Sequence, residues 1–251
     1  MDASINIVGL LLAVCLGLVH IFASRIQWFA NIPQRWWISI AGGVSIAYIF
    51  LDIFPELGKA QTEVEHSSNL AVEYLENHIY LLALLGLVIF YGLEKLALQS
   101  RSYHRKIRGE DCTHSEVFWL HVGSFAIYNA ILGYLLRESE NHGLVACLLL
   151  FFALALHFFV NDVGLRKHHK HVYDRAGRWL LAGAIVFGWV LGEAIHVNEA
   201  AIAAIWAFVA GGIVLNVLKE ELPEEQDSNF GVFAVGAAFY AMVLLAVSTQ
   251  G

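Results

Sequence analysis

Eight apolar runs, each about as long as a bilayer is thick, set the terms on which this chain folds. They cover about residues 4–24, 35–55, 78–98, 116–136, 144–164, 178–197, 200–220 and 229–248. A helix needs roughly 20 apolar residues to cross the hydrocarbon core. Helix is the form expected there, because lipid offers no water to unpaired backbone groups. A β-barrel would need alternating segments of about ten residues, and these runs do not alternate. Composition agrees: charged residues make up 15% of the 251, against 58% hydrophobic, where a soluble domain carries about 25% charged. The net charge of −7 and the absence of a basic, aromatic-rich patch argue against nucleic acid as a partner. The expectation is an all-α integral membrane protein, a single transmembrane domain over 1–251 with the lipid bilayer as its solvent.

Orientation follows from the basic residues. With eight spans, thirteen Lys and Arg fall on one side, and only Lys59 and Arg137 on the other. Basic residues favour the cytoplasmic side, so both termini are expected outside the cytoplasm. Trp28, Trp36, Trp37, Trp119 and Trp179 lie near span ends, where indole rings anchor at the interface. Cys15, Cys112 and Cys147 form no CxxC pair and imply neither a disulfide frame nor a thiolate zinc site. The first apolar run follows Met1-Asp2-Ala3, lacks a basic leader and exceeds a signal-peptide core, so it reads as the first span. A multi-pass protein of a bacterial inner membrane or a plasma membrane fits this layout, and a homodimer is compatible with it.

An internal echo adds architecture. The second run reads Ala41-Gly42-Gly43, then eleven residues, then Pro55-Glu56. The seventh reads Ala210-Gly211-Gly212, then ten residues, then Pro223-Glu224. One runs inward to outward and the other outward to inward, as in an inverted repeat whose substrate site lies near the midplane. Spans 1–3 and 6–8 are then the repeats, with spans 4 and 5 between them in a 3+2+3 arrangement.

Ionisable residues inside spans are costly and mark functional sites. His157 and Asn161 are four apart on span 5, so they project from one face. His121 and Asn129, eight apart on span 4, share a face about two turns apart. Imidazole suits zinc and other late first-row metals, and amide or carboxylate oxygens widen the choice. These four are the candidate metal contacts, with the metal as substrate rather than as an obligatory cofactor. His20, Asp52, Asp162, Glu193, Lys219 and Glu220 lie nearer span ends, where water or headgroups can solvate them. The run Arg166-Lys167-His168-His169-Lys170-His171 reads as positive-inside anchoring. Glu220, Glu221, Glu224, Glu225 and Asp227 read as a solvated acidic loop.

These residues resemble a known family. Ala207-Phe208-Val209-Ala210-Gly211-Gly212 followed by Glu220-Glu221-Leu222-Pro223-Glu224-Glu225 is similar to the seventh span of the ZIP (Zrt/Irt-like) metal transporters. Ala41-Gly42-Gly43-Val44 through Leu51-Asp52-Ile53-Phe54-Pro55-Glu56 is similar to their second. The resemblance implies eight helices, both termini outside, and carriage of a divalent cation such as zinc, iron or manganese by ligands on spans 4 and 5. The chain departs from the family at those ligands. Ser124, Phe125 and Tyr128 stand where the span 4 motif has histidine, asparagine and an acid. On span 5 His157 is kept, but Val160 replaces proline and Asn161 replaces glutamate.

Two readings follow. In the first, a ZIP-like carrier moves a divalent cation with His157 and Asn161 as its main contacts. His121, Asn129 and Asp162 are then auxiliary ligands, and Asp52 and Glu56 guard the outer mouth. In the second, a ZIP-like protein no longer transports and acts as a regulator, sensor or partner subunit. An enzyme is not expected: an intramembrane zinc hydrolase needs several histidines and an acid converging on one water, and the histidines here are scattered.

Overall fold

The computed structural model describes residues 3–23, 34–65, 78–108, 114–221 and 229–248. Among these the chain is helical with no strand. The helices are α1 (Ala3–Phe22), α2 (Gln34–Tyr48), α3 (Phe54–Glu65), α4 (Ile79–Arg108), α5 (Ser115–Ser139), α6 (Leu144–Val172), α7 (Arg178–Ala194), α8 (Glu199–Asn216) and α9 (Phe230–Ser248). Five stretches are long and apolar enough to cross a membrane: Ser39–Thr62, Ile79–Ile107, Ser115–Ser139, Cys147–Arg166 and Glu199–Lys219. Ile7–Phe22 and Phe230–Ala246 are apolar but shorter. α7 has 17 residues, about 26 Å at 1.5 Å per residue.

Several helices outrun the apolar runs that announce them. α4 continues ten residues past the expected end of span 3, to Arg108, and α6 continues past 164 to Val172. The added residues are mostly Lys, Arg, His, Leu and Gln; the long unbranched side chains among them hold helix well outside lipid. The expected cytoplasmic loops are therefore shorter than the hydropathy suggests. Cys112, Trp28 and the acidic residues Glu224, Glu225 and Asp227 lie outside the described residues.

Large apolar side chains face outward as well as filling the core, and several polar ones are buried among them. Ile7, Leu11, Leu81, Ile127, Phe152, Phe187, Val235, Phe239 and Met242 are all more than half exposed. His20, Asn129, Asp162, His157, Asn161 and His121 are buried. Apolar outside and polar inside is the arrangement that lipid selects. Trp36, Trp119 and Trp179 are exposed, as interface anchors require.

The chain divides into two compact units. The first comprises Met1–Arg25 and Val88–His196, the second Ile26–Leu87 and Val197–Gly251. The sequence offers no boundary of this kind, because each unit is assembled from distant segments.

In the second unit one packing arrangement occurs twice. Gly43 of α2 lies against α9, where a Cβ would overlap the Phe233 carbonyl oxygen and come within 2.9 Å of the Ala237 nitrogen. Gly211 of α8 lies against α4, where a Cβ would overlap the Ala83 carbonyl oxygen and come within 2.9 Å of the Leu87 nitrogen. The contacts are reciprocated, Gly236 meeting Ile40 and Gly86 meeting Phe208. One constant offset maps Ile40 and Gly43 onto Phe208 and Gly211, and a second maps Ala83, Gly86 and Leu87 onto Phe233, Gly236 and Ala237. Small residues let helix backbones approach this closely in lipid.

The first offset also carries the π-helical segment Ile49–Ile53 onto the π-helical segment Val217–Glu221, and Pro55 onto Pro223. The matching letters Ala-Gly-Gly suggest a register one residue different, and the contacts correct it: Gly43 corresponds to Gly211. Proline supplies a physical reason for the wide turns. It lacks an N–H and crowds the carbonyl four residues earlier in a helix, which for Pro55 is that of Leu51, the middle residue of its segment. A π turn is one way to relieve that crowding. Pro223 itself lies outside the described residues.

In the first unit α5 and α7 cross closely, Gly133 against Ile185 and Gly188 against Ala130. Gly17 of α1 faces the Ala182 carbonyl of α7, and His20, one turn on, stacks on Phe158 of α6 at 4.5 Å. α6 and α7 therefore reach neighbouring turns of α1, so the chain reverses between Phe158 and Ala182. That stretch contains a third π-helical segment, Tyr173–Gly177.

The glycine contacts lead to a graded expectation for thermal unfolding in detergent. Gly43→Ala and Gly211→Ala should each cost about 1–3 kcal/mol through overpacking and lower the apparent Tm. Gly92→Ala and Gly183→Ala, with nothing within 4 Å of the new Cβ, should leave it unchanged or slightly higher, since alanine is the better helix former by about 1 kcal/mol.

Candidate functional site

The buried polar groups of the first unit form three hydrogen-bonded clusters. The longest joins α1, α5, α6 and the Tyr173–Gly177 segment. His20 Nδ1 lies 2.9 and 3.0 Å from the two carboxylate oxygens of Asp162. On the other side of the ring, Asn129 Nδ2 lies 2.8 Å from His20 Nε2. The Tyr173 hydroxyl donates to Asp162 as well. Burial first, then the adjacent Asp162 carboxylate, holds the Tyr173 hydroxyl far above the ordinary phenol range, so it remains a donor.

Each His20 ring nitrogen therefore has a partner, the Asp162 carboxylate at Nδ1 and the Asn129 amide at Nε2. Asn129 Oδ1 has no hydrogen-bond partner, although Asn129 is completely buried.

The second cluster pairs His157 with Tyr128, whose hydroxyl lies 3.0 Å from His157 Nε2. Phe90 sets its ring edge-on to Tyr128 at 5.2 Å. Asn161 is buried, and its Nδ2 has no partner. The third cluster lies toward the start of α5. His121 Nδ1 is 2.9 Å from His169 Nε2, and His121 Nε2 is 3.5 Å from Glu94 Oε2.

The seven residues singled out in the sequence are thus distributed among several groups. Asn129 and Asp162 meet at His20, His157 meets Tyr128, and His121 meets His169 and Glu94. Helical geometry explains part of this. Asn161 and Asp162 are consecutive and so point about 100° apart; Asp162 turns to α1, while Asn161 stays on the His157 face. Asp52 and Glu56 belong to the second unit. Asp52 accepts from the Tyr240 hydroxyl, and Glu56 pairs with Lys59 at 2.5 Å on the surface.

Positions where the resemblance expects ligands make other bonds. The Ser124 hydroxyl donates to the His121 carbonyl at 2.7 Å. Phe125 packs against Phe90 and His121. Among the described residues no group of three His, Cys, Asp or Glu stands ready to hold a metal ion. The mixed nitrogen and oxygen donors that the structure brings together are His20, Asp162 and Asn129.

Sequence reasoning places His20 at a solvated span end, and the structure buries it at the centre of the longest cluster. It also passes over Tyr173 and Glu94, and it assigns His169 to a basic loop. The partners of His20 lie 142 and 109 residues away in sequence, so no spacing rule within one helix reveals them. The one available signal is that His20 is the only acidic or basic side chain in α1.

At the other end of this unit Arg137 is buried and bonded to Glu193. The Trp189 indole N–H donates to Glu140 at 2.7 Å. Arg137 is therefore an internal charge, neutralised locally, rather than a loop residue. No protein family, characterised protein or solved structure is found to match this chain.

The pair at the centre should behave as a unit. His20→Leu leaves a buried carboxylate short of one donor and should cost about 3–5 kcal/mol. The double variant His20→Leu/Asp162→Leu should cost less than the two single changes together, with a coupling of about 0.5–3 kcal/mol. Reversible unfolding of the four proteins in detergent measures the coupling, and strict additivity would contradict the pairing.

Proposed function

We propose that this chain is a multi-pass membrane carrier of ZIP-like architecture. In this reading eight spans in a 3+2+3 arrangement of inverted repeats move a divalent cation, zinc, iron or manganese, through the first unit. The observation that carries the reading is the set of ionisable and amide side chains buried in helices whose outer faces are apolar. Such groups are expensive in lipid and mark substrate or ion pathways.

The doubled arrangement in the second unit supports the inverted repeat. α2 with α9 and α8 with α4 are the span pairs 2–8 and 7–3. An inverted repeat that relates span 2 to 7 and span 3 to 8 exchanges these two pairs. Burial of Arg137 beside Glu193 leaves Lys59 as the one basic residue on the non-cytoplasmic side, which supports both termini lying outside.

His157 and Asn161 are the proposed main cation contacts, with His121, Asn129 and Asp162 as auxiliaries and Asp52 and Glu56 at the outer end. A divalent ion here needs a carboxylate to offset its desolvation. Asp162 is the candidate, so cation binding would draw on the same carboxylate that His20 uses. A non-transporting sensor or partner subunit is the second reading. It is favoured by the bonds of Tyr128 with His157 and of His20 with Asp162, which give these groups partners without any ion.

Proteoliposomes separate the two. The carrier reading expects uptake of Zn²⁺, Fe²⁺ or Mn²⁺ above empty vesicles, reduced at least about tenfold by Asp162→Asn, the scale of losing one charge-assisted contact. Folded protein that passes none of the three ions would leave the second reading.

A further inference from the structure

Glu140, in the turn between α5 and α6, is a buried carboxyl that neither the carrier nor the sensor reading uses. It is 5% exposed. Its position is set locally, since Glu140 caps α5 with its N–H bonded to the Arg137 carbonyl. The side chain lies against α1, where a Cβ on Gly9 would overlap Oε1 and come within 2.9 Å of Oε2. Within a helix the backbone N–H groups bond four residues back, so α1 offers this carboxyl no donor at Gly9. From α7 the Trp189 indole N–H donates to Oε1 at 2.7 Å. Among the described residues Oε2 has no hydrogen-bond partner.

The charges around it do not balance if every group is ionised. From α5, the buried Arg137 gives its guanidinium Nε to Glu193 of α7. Glu138 is turned away, its carboxylate bonded to Asn141 at 2.8 Å in an exposed pair. From α7 the facing charge is Glu193, whose side chain is 41% exposed and joins the cluster to solvent. From α6 the facing group is the Cys147 thiol, which bonds to Ser139. In α1 the only acidic or basic side chain is His20, at the far end of that helix. The side chain of His142 lies outside the described residues. One arginine therefore serves two carboxylates, leaving one negative charge in excess. A buried carboxyl in that position escapes the cost of its charge by taking a proton. Burial first pushes the Glu140 carboxyl above the ordinary range; Trp189 and Arg137 oppose this, and Glu193 adds to it.

We propose that Glu140 is a proton-binding site of the first unit, holding the proton on Oε2 while Arg137 pairs with Glu193, and sharing Arg137 with Glu193 once the proton has left. In the balance, one O–H bond forms at Oε2, the proton comes from water by way of the exposed edge at Glu193, and no other covalent bond changes. Trp189 keeps its bond to Oε1 in both states, because that oxygen accepts in the acid and in the carboxylate alike. The ligand is the proton itself, and the orientation proposed above puts the site on the non-cytoplasmic side. Stability should follow its occupancy. A carboxyl that binds protons more tightly in the folded than in the unfolded chain stabilises the fold at low pH, and that contribution is lost as pH rises through the folded midpoint. Neither Glu140 nor the Gly9 and Trp189 that enclose it are among the proposed cation contacts.

Carbon-13 NMR of glutamate-labelled protein in nanodiscs reads the site directly. The Glu140 carboxyl resonance is assigned by its loss in Glu140→Gln, an uncharged variant that keeps an oxygen for Trp189. Its midpoint is expected at least about one pH unit above the value of roughly 4.3 for an exposed glutamate. Glu193→Gln, which removes the competitor for Arg137, should lower that midpoint by about one unit or more. A midpoint at or below the exposed value overturns the proposal, and so does an unchanged midpoint in Glu193→Gln. If Glu193→Gln fails to fold, thermal unfolding of the other two proteins replaces it. The wild type should then lose Tm relative to Glu140→Gln as pH rises through the midpoint, and parallel curves overturn the proposal. Metal uptake enters none of these measurements, so failure of the carrier reading and failure of the proton site are distinguishable.

Discussion

Lipid gives a buried polar atom no water to fall back on, and that constraint organises this molecule more than any single contact. Apolar side chains can face outward without cost, so they do not drive the helices together. Assembly then depends on close backbone packing and on polar groups that must find one another inside. The second unit relies on the first device, with glycines at both crossings. The first unit combines glycine crossings of α5 and α7 with the hydrogen-bonded clusters of His20, His121 and His157.

The two devices place different demands on the sequence. A glycine crossing tolerates no Cβ, and the same crossing appears twice at constant offset, with a π-helical segment and a proline following each. A polar cluster tolerates no missing partner. Asp162 shows this most clearly, because it accepts from both His20 and Tyr173, and any ion bound there must displace or share those donors. The carrier and the non-transporting readings differ in whether that displacement happens.

Much of the fold was legible in the sequence because membrane helices advertise themselves by length. All eight apolar runs coincide with helices, and exposed Trp36, Trp119 and Trp179 mark span ends as expected. The helix ends were less legible, since the residues of 99–108 and 165–172 are polar and yet helical. The repeat was visible but read one residue out of register, because Ala-Gly-Gly matched by letter while the Pro-Glu spacing did not. The candidate site was legible only in part. Periodicity put His157 with Asn161 and His121 with Asn129 on shared helix faces as candidate metal contacts, and all four are buried, but it could not say which would meet. His20, Tyr173 and Glu94 were missed because their partners are brought to them by tertiary packing alone.

The central proposal is that the first unit takes up a cation at His157 and Asn161, with Asp162 as an auxiliary ligand. Anomalous scattering from crystals grown with Zn²⁺ or Cd²⁺ tests it most directly. The account predicts a peak within coordination distance of His157 and Asp162, with the bonds to Tyr128 and His20 rearranged around it. Well-ordered density with both of those bonds intact and no peak in the first unit would contradict it.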